Sequence, residues 1–223
     1  MIAVHVTNRE NACKIITSSN IEPHGISIDD LFEAYIDRLL QYLEHGALDK
    51  FLARLDEKHL FPEPKYLYLG RGVYFFREED FSYAQDYGSD SVPGPVGYVK
   101  LELSKSHSNC DLNISEELKK IKEFIETKYL KKYRLQHPNI DEKTLVVLNI
   151  IVEIVLYQLD LIDSEKFQPF VLGVALDLYR ENTNDKKDVY YYKFYSRQAP
   201  YGVIKNCSVV ERLEYLIDER EVM

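Results

Sequence analysis

Leu67-Tyr68-Leu69-Gly70-Arg71-Gly72-Val73-Tyr74-Phe75-Phe76, continued by Arg77 to Gly88, is the stretch on which the fold of this chain turns. Two glycines two apart stand directly before Val-Tyr-Phe-Phe. Glycine at such a place lets the backbone turn with positive φ, or lets another group approach it closely. The run after it is rich in β-formers and reads as a short buried strand. Glu78-Glu79-Asp80 then puts acid in the first turn of a short helix carrying Phe81, Tyr83, Ala84 and Tyr87, with Gly88 at its end. The pattern admits two readings: a flat-ring binding wall, or a hairpin or loop that packs its aromatics into the core.

Upstream, Ile2-Ala3-Val4-His5-Val6-Thr7 reads as a strand rather than a signal peptide. Alternation puts Ile2, Val4 and Val6 on one face, with Ala3, His5 and Thr7 on the other. Either that second face is polar and solvated, or it holds a His/Thr pair on a rigid strand. A short helix is predicted over residues 8 to 19. Ser27 is expected to cap a longer one whose face carries Leu31, Phe32, Tyr35, Leu39, Tyr42 and Leu43, and a further short helix is predicted from Leu48 to Leu55.

Downstream, Val96 to Leu103 is predicted as a strand, and Ser115 as the cap of a helix with a lysine-rich face. Asp141 opens a buried helix over Lys143 to Gln158. Phe170 to Leu178, Val189 to Tyr195, Val203 to Lys205 and Val209 to Leu216 read as strands, and Asn182 to Asp188 as a hairpin loop.

The 223 residues are 45% hydrophobic, enough for one domain with a sizeable core. A formal net charge of −9 argues against a broad nucleic-acid footprint, which needs clustered Lys and Arg. Cys13, Cys110 and Cys207 are too widely spaced for a CxxC metal pair and are odd in number, so a reduced cytoplasm is the expected compartment and no metal site is predicted. The apolar run Leu145 to Leu156 is too short to span a bilayer and carries Asn149 and Glu153, so no membrane association is expected.

Three features now stand in one order: a His-x-Thr strand, Gly-x-Gly-Val-Tyr-Phe with a helix holding Ala and Tyr, and late aromatic strands. In this the chain resembles the ADP-ribosyltransferase superfamily, on its diphtheria-toxin and poly(ADP-ribose)-polymerase side. It is also similar to small bacterial proteins with a Leu-Gly-x-Gly-(Ile/Val)-Tyr-Phe-Trp motif, which look like toxins or defence effectors. The matching pieces are Leu69 to Phe76, Tyr83-Ala84, Val96 to Leu103 and Cys110-Asp111-Leu112-Asn113.

The resemblance implies an α+β fold, a split β-sandwich of two packed sheets with flanking helices, in a single domain over 1–223 with a helical insertion at about 114–165. It implies mono-ADP-ribosyl transfer from NAD, as substrate, to a macromolecular target that is protein or nucleic acid. The setting would be a bacterial toxin, with an antitoxin protein as a possible partner, or an anti-phage effector. The alternative is a catalytically silent module of the same fold that binds NAD, ADP-ribose or a protein. By position, His5 would hydrogen-bond the ribose and Thr7 would support the strand. Tyr74 and Tyr87 would bracket the nicotinamide, with Tyr83 as the alternative to Tyr87, and backbone groups near Gly72 would grip the carboxamide. Nicotinamide departs through an oxocarbenium-like state, so the site must hold the ring and stabilise a cation. The chain departs from the family at that last role. Where a glutamate is usual, the comparable segment offers Gln198 or Tyr201, and Glu211 and Glu214 follow only later.

Overall fold

The computed structural model describes residues 1–53, 68–194 and 201–216. The chain divides into two compact units. One gathers Met1–His24, Gly72–Asn113 and Lys187–Met223; the other gathers Gly25–Arg71 and Ile114–Lys186.

The first unit is built on a seven-stranded mixed sheet. Its strands are β1 (Ile2–Asn8), β2 (Val73–Arg77), β3 (Val96–Leu103), β4 (Asn109–Asp111), β5 (Val189–Tyr192), β6 (Tyr201–Ile204) and β7 (Val210–Leu216), in the order β4-β5-β6-β2-β1-β3-β7. Only β4 and β5 run parallel; the other neighbours are antiparallel. The resemblance implies two packed sheets; here the seven strands stand in one hydrogen-bonded order, joined through β1 and β2. The joint is thin. β1 pairs with β3 along its whole length, from Ile2↔Glu102 to Asn8↔Val96, but meets β2 only at Ala3↔Arg77 and Val4↔Phe76.

Period-two alternation explains which side chains fill the core. Ala3, Val73, Phe75, Val99, Leu101 and Tyr191 come together on one face, with Ala12, Ile15 and Ile16 of helix α1 (Arg9–Ser18) packed on them. The Arg77 guanidinium lies 4.4 Å from the centre of the Tyr191 ring, a cation–π contact on that same face. Asp188 ties the strand ends together. Its carboxylate accepts from the Ser108 amide, the Ser108 hydroxyl and the Asn206 side-chain amide, each at 2.8 Å.

The second unit is helical: α2 (Ile28–Glu44), α3 (Leu48–Leu52), α5 (Ser115–Phe124), a π-helical turn (Ile125–Tyr129), α6 (Leu130–Gln136), α7 (Glu142–Asp160) and α8 (Phe170–Asn182). The Ser27 hydroxyl accepts from the Asp30 amide and the Asp141 carboxylate from the Thr144 amide, so both caps stand as their residue types suggest.

Four details of the sequence reading change. Phe170 to Leu178 is not a strand but the first nine residues of α8, every one buried. A run apolar on all sides carries no periodicity that separates helix from strand. With that segment helical, Asn182 to Asp188 connects a helix to β5 and is no hairpin loop. Ser115 is the first helical residue and not the cap; Ile114 holds that place, with no side-chain hydrogen bond. Finally, Glu78–Asp80 forms a 3₁₀ turn, and α4 (Phe81–Ser91) runs past Gly88. That glycine is a contact point: a Cβ there would sit 2.7 Å from Val96 Cγ1 and 2.9 Å from the Tyr98 hydroxyl.

Candidate functional site

The site forms where the β1–β2 ladder stops. After Val4↔Phe76 the strands exchange no further pairs, and the next side chain on β1 is His5. It is 5% exposed. Its Nδ1 lies 2.7 Å from the main-chain oxygen of Tyr74. A carbonyl only accepts, so Nδ1 carries the proton and donates it. Burial holds the imidazole neutral, pushing its pKa down to about 4; the Tyr74 hydrogen bond works against this and His24 works with it. In that tautomer Nε2 is a bare acceptor. It is buried and has no hydrogen-bond partner among the described residues.

His24 stands beside it. The two rings are nearly parallel, 13° apart, with centroids at 6.2 Å, and His24 is exposed. Its backbone pairs with Gly72 in both directions: the Gly72 amide donates to the His24 oxygen at 2.9 Å, and the His24 amide to the Gly72 oxygen at 3.0 Å. The main-chain groups expected to grip a carboxamide are therefore engaged by His24. Thr7, two residues on from His5, is half-buried opposite Gly97 of β3.

The aromatic side chains assemble around a residue that the sequence reading did not assign to the site. Tyr74 and Phe76 alternate onto one face of β2, opposite Phe75. The rings that meet there are Phe76, Tyr87 and Tyr201. Phe76 lies 5.7 Å from Tyr87 and 5.4 Å from Tyr201, and Tyr87 lies 6.4 Å from Tyr201. Phe194 joins Tyr201 edge-on at 6.2 Å. Tyr87 is 38% exposed, so this cluster reaches the surface. Tyr83 is half-buried on α4. The signal for Phe76 was present in the sequence, since Tyr74 and Phe76 are two apart in a strand.

The glycines before β2 have packing reasons of their own. Gly70 has φ +72°, and a Cβ there would fall 2.2 Å from Asp177 Oδ2, the atom that accepts the Arg71 amide at 2.8 Å. A Cβ on Gly72 would fall 2.3 Å from Val203 Cγ2 and 2.8 Å from the Ile204 oxygen.

Gln198 lies outside the described residues. Glu214 is held in ion pairs with Lys100 and Arg212, on β7, two strands from β1. Glu211 is exposed on the same strand. Among the described residues, no carboxylate hydrogen-bonds His5. Among them, too, no group of three His, Cys, Asp or Glu side chains is placed to hold a metal ion, and no helix is long and apolar enough to cross a membrane.

No protein-family model, no curated protein and no solved structure matches this chain.

Proposed function

We propose that this chain is a mono-ADP-ribosyltransferase that takes NAD as substrate and modifies a macromolecular acceptor. The observation that carries the reading is His5: a neutral imidazole, oriented through Nδ1 by the Tyr74 carbonyl, with Nε2 left as a buried acceptor. A ribose hydroxyl is a donor of the kind that acceptor needs. The His-x-Thr strand, the Gly-x-Gly-Val-Tyr-Phe stretch and the ring cluster of Phe76, Tyr87 and Tyr201 support it as surroundings for a nicotinamide.

In this reading the bond between ribose C1 and the nicotinamide nitrogen breaks with its electron pair going to the ring, which neutralises the pyridinium. The acceptor's nucleophile bonds to C1 and loses its proton to solvent. His5 holds the ribose, and the aromatic rings hold the leaving group. The His24 segment must release the Gly72 backbone if those groups are to grip the carboxamide, because both are taken. A bacterial toxin or anti-phage effector is the setting that best suits such an activity, with an antitoxin as a natural partner for a toxin.

A second reading is a binding module of the same fold without turnover. The engaged Gly72 backbone and the ion-paired Glu214 favour it. Incubation with NAD and measurement of released nicotinamide separates the two. Turnover by the wild type that His5→Ala and Tyr74→Ala both abolish supports the transferase. Calorimetric binding of NAD without release supports the module, and release that survives both substitutions overturns the site.

A further inference from the structure

We propose that a cavity of about 200 Å³ in the helical unit binds an organic cation, an ammonium or guanidinium head on an apolar stem. The proposal is independent of the NAD reading.

The cavity is lined by Asp29 and Glu33 of α2, by Tyr129, Tyr133 and His137 along the helix that follows α5, and by Glu181 of α8. These residues place three carboxylates around aromatic faces. Asp29 and Glu33 are joined to no basic side chain among the described residues. Tyr129 and Tyr133 lie one helical turn apart, and His137 follows at the same four-residue spacing as the residue that ends α6. Tyr129 and Tyr133 have centroids 6.0 Å apart, and Tyr133 stacks on His137 at 4.2 Å. Tyr129 is the last residue of the π-helical turn, a local distortion often associated with binding sites.

Tyr129 is the observation that points to a ligand. It is 3% exposed, and its ring packs edge-on against Phe32 at 6.0 Å. Its hydroxyl, at the cavity, makes no hydrogen bond with any described residue. Burial raises its pKa, with Tyr133, Asp29 and Glu181 adding to the effect, so it stays protonated and its oxygen has lone pairs to offer. An N–H of a bound cation can donate to that oxygen while its charge faces the carboxylates and its stem lies on Phe32 and Tyr133. Three carboxylates repel an anionic ligand and offer a neutral one hydrogen bonds but no charge attraction.

The test is a two-dimensional NMR titration of the full chain with agmatine, with N-acetyl-arginine-N-methylamide, and with sodium chloride at matched ionic strength. Saturable shifts centred on Asp29, Tyr129, Tyr133 and Asn182 are expected from the organic cations and not from the salt. Glu33→Gln is expected to weaken binding about tenfold and Tyr129→Phe several-fold, while Glu153→Gln, an exposed acid outside the cavity, leaves it unchanged. Circular dichroism of each variant confirms that it folds. Tighter binding of agmatine points to a small diffusible cation as the ligand class; tighter binding of the capped arginine points to a polypeptide side chain. Shifts that never saturate, shifts reproduced by salt, or equal weakening by Glu33→Gln and Glu153→Gln would overturn the proposal.

Discussion

His5 Nδ1 donates to the main-chain oxygen of Tyr74 at 2.7 Å, and this bond spans the place where β1 and β2 cease to pair. A side chain takes over where the backbone ladder ends, which fixes both the ring's orientation and its tautomer. His5→Gln is a graded probe, because its side-chain amide can still donate to Tyr74 but presents Nε2's position differently. Nicotinamide release, if the NAD reading holds, falls at least tenfold in His5→Gln and to background in His5→Ala; a radiolabelled-NAD assay measures both.

The buried imidazole also sets a pH dependence. Unfolded, His5 takes up a proton near its ordinary value of 6.5; folded, it does so only near 4. Between these the unfolded chain holds more protons, so stability falls as pH drops from about 6.5 towards 4. The full effect of this one group is on the order of 3 kcal/mol. Repulsion from the facing His24 ring is part of what lowers the His5 value. Urea midpoints of wild type and His5→Gln, compared at neutral pH and at about pH 4.5, should converge at the lower pH.

Gly70 and Asp177 form a coupled pair. Gly70→Ala combines a positive φ with a Cβ driven onto Asp177 Oδ2, and should cost more than about 2 kcal/mol. Shortening the acid in Gly70→Ala/Asp177→Ala removes the clash with the carboxylate, keeps the one with the Gly173 oxygen at 2.8 Å, and leaves the Arg71 amide unbonded. The double variant is therefore expected to be less destabilised than the sum of the singles, a deviation that denaturant titration of the four proteins reads directly.

Phe76 and Tyr87 touch each other but should respond differently. Phe76 is 6% exposed, and Phe76→Ala is expected to cost about 3 kcal/mol or more through the cavity it leaves. Tyr87 is 38% exposed, and Tyr87→Ala should cost less than about 1 kcal/mol. If the ring cluster holds nicotinamide, Tyr87→Ala weakens NAD binding by at least tenfold while leaving the melting temperature nearly unchanged. Calorimetry and thermal melts report the two quantities separately.

Asp188 is the acid whose loss should hurt the sheet most. Three donors converge on it, and Asp188→Ala strands them at the edge of β4 and β5, at a cost of about 2 kcal/mol. Desolvation pushes its carboxyl up, but the Ser108 and Asn206 hydrogen bonds outweigh that and hold it below the usual range. Its contribution is therefore present above the unfolded value and fades as pH falls through the folded one. Hydrogen exchange at Tyr190 and Val203 is a local readout.

Much of this molecule is legible from residue order alone, because its signals are local. Strands β1, β2 and β3 follow from alternation and β-branching, and the Ser27 and Asp141 caps from side chains that reach an amide three residues on. His5 and Thr7 share a face for the same reason, and Phe76 belongs with Tyr74 by the same period. Phe170 to Leu178 escaped because burial on every side erases the period that distinguishes helix from strand.

The stretch Gly70-Arg71-Gly72-Val73-Tyr74-Phe75-Phe76 marks the boundary between the two kinds of knowledge. Its order determined a glycine turn followed by an aromatic strand. Only the tertiary structure decided that Gly70 makes room for Asp177 and Gly72 for Val203, and that His24 occupies the Gly72 backbone. It alone decided that His5 ends with one nitrogen satisfied and one bare. Those outcomes depend on atoms from 48 to over 100 positions away meeting in space, and no local periodicity encodes such a meeting.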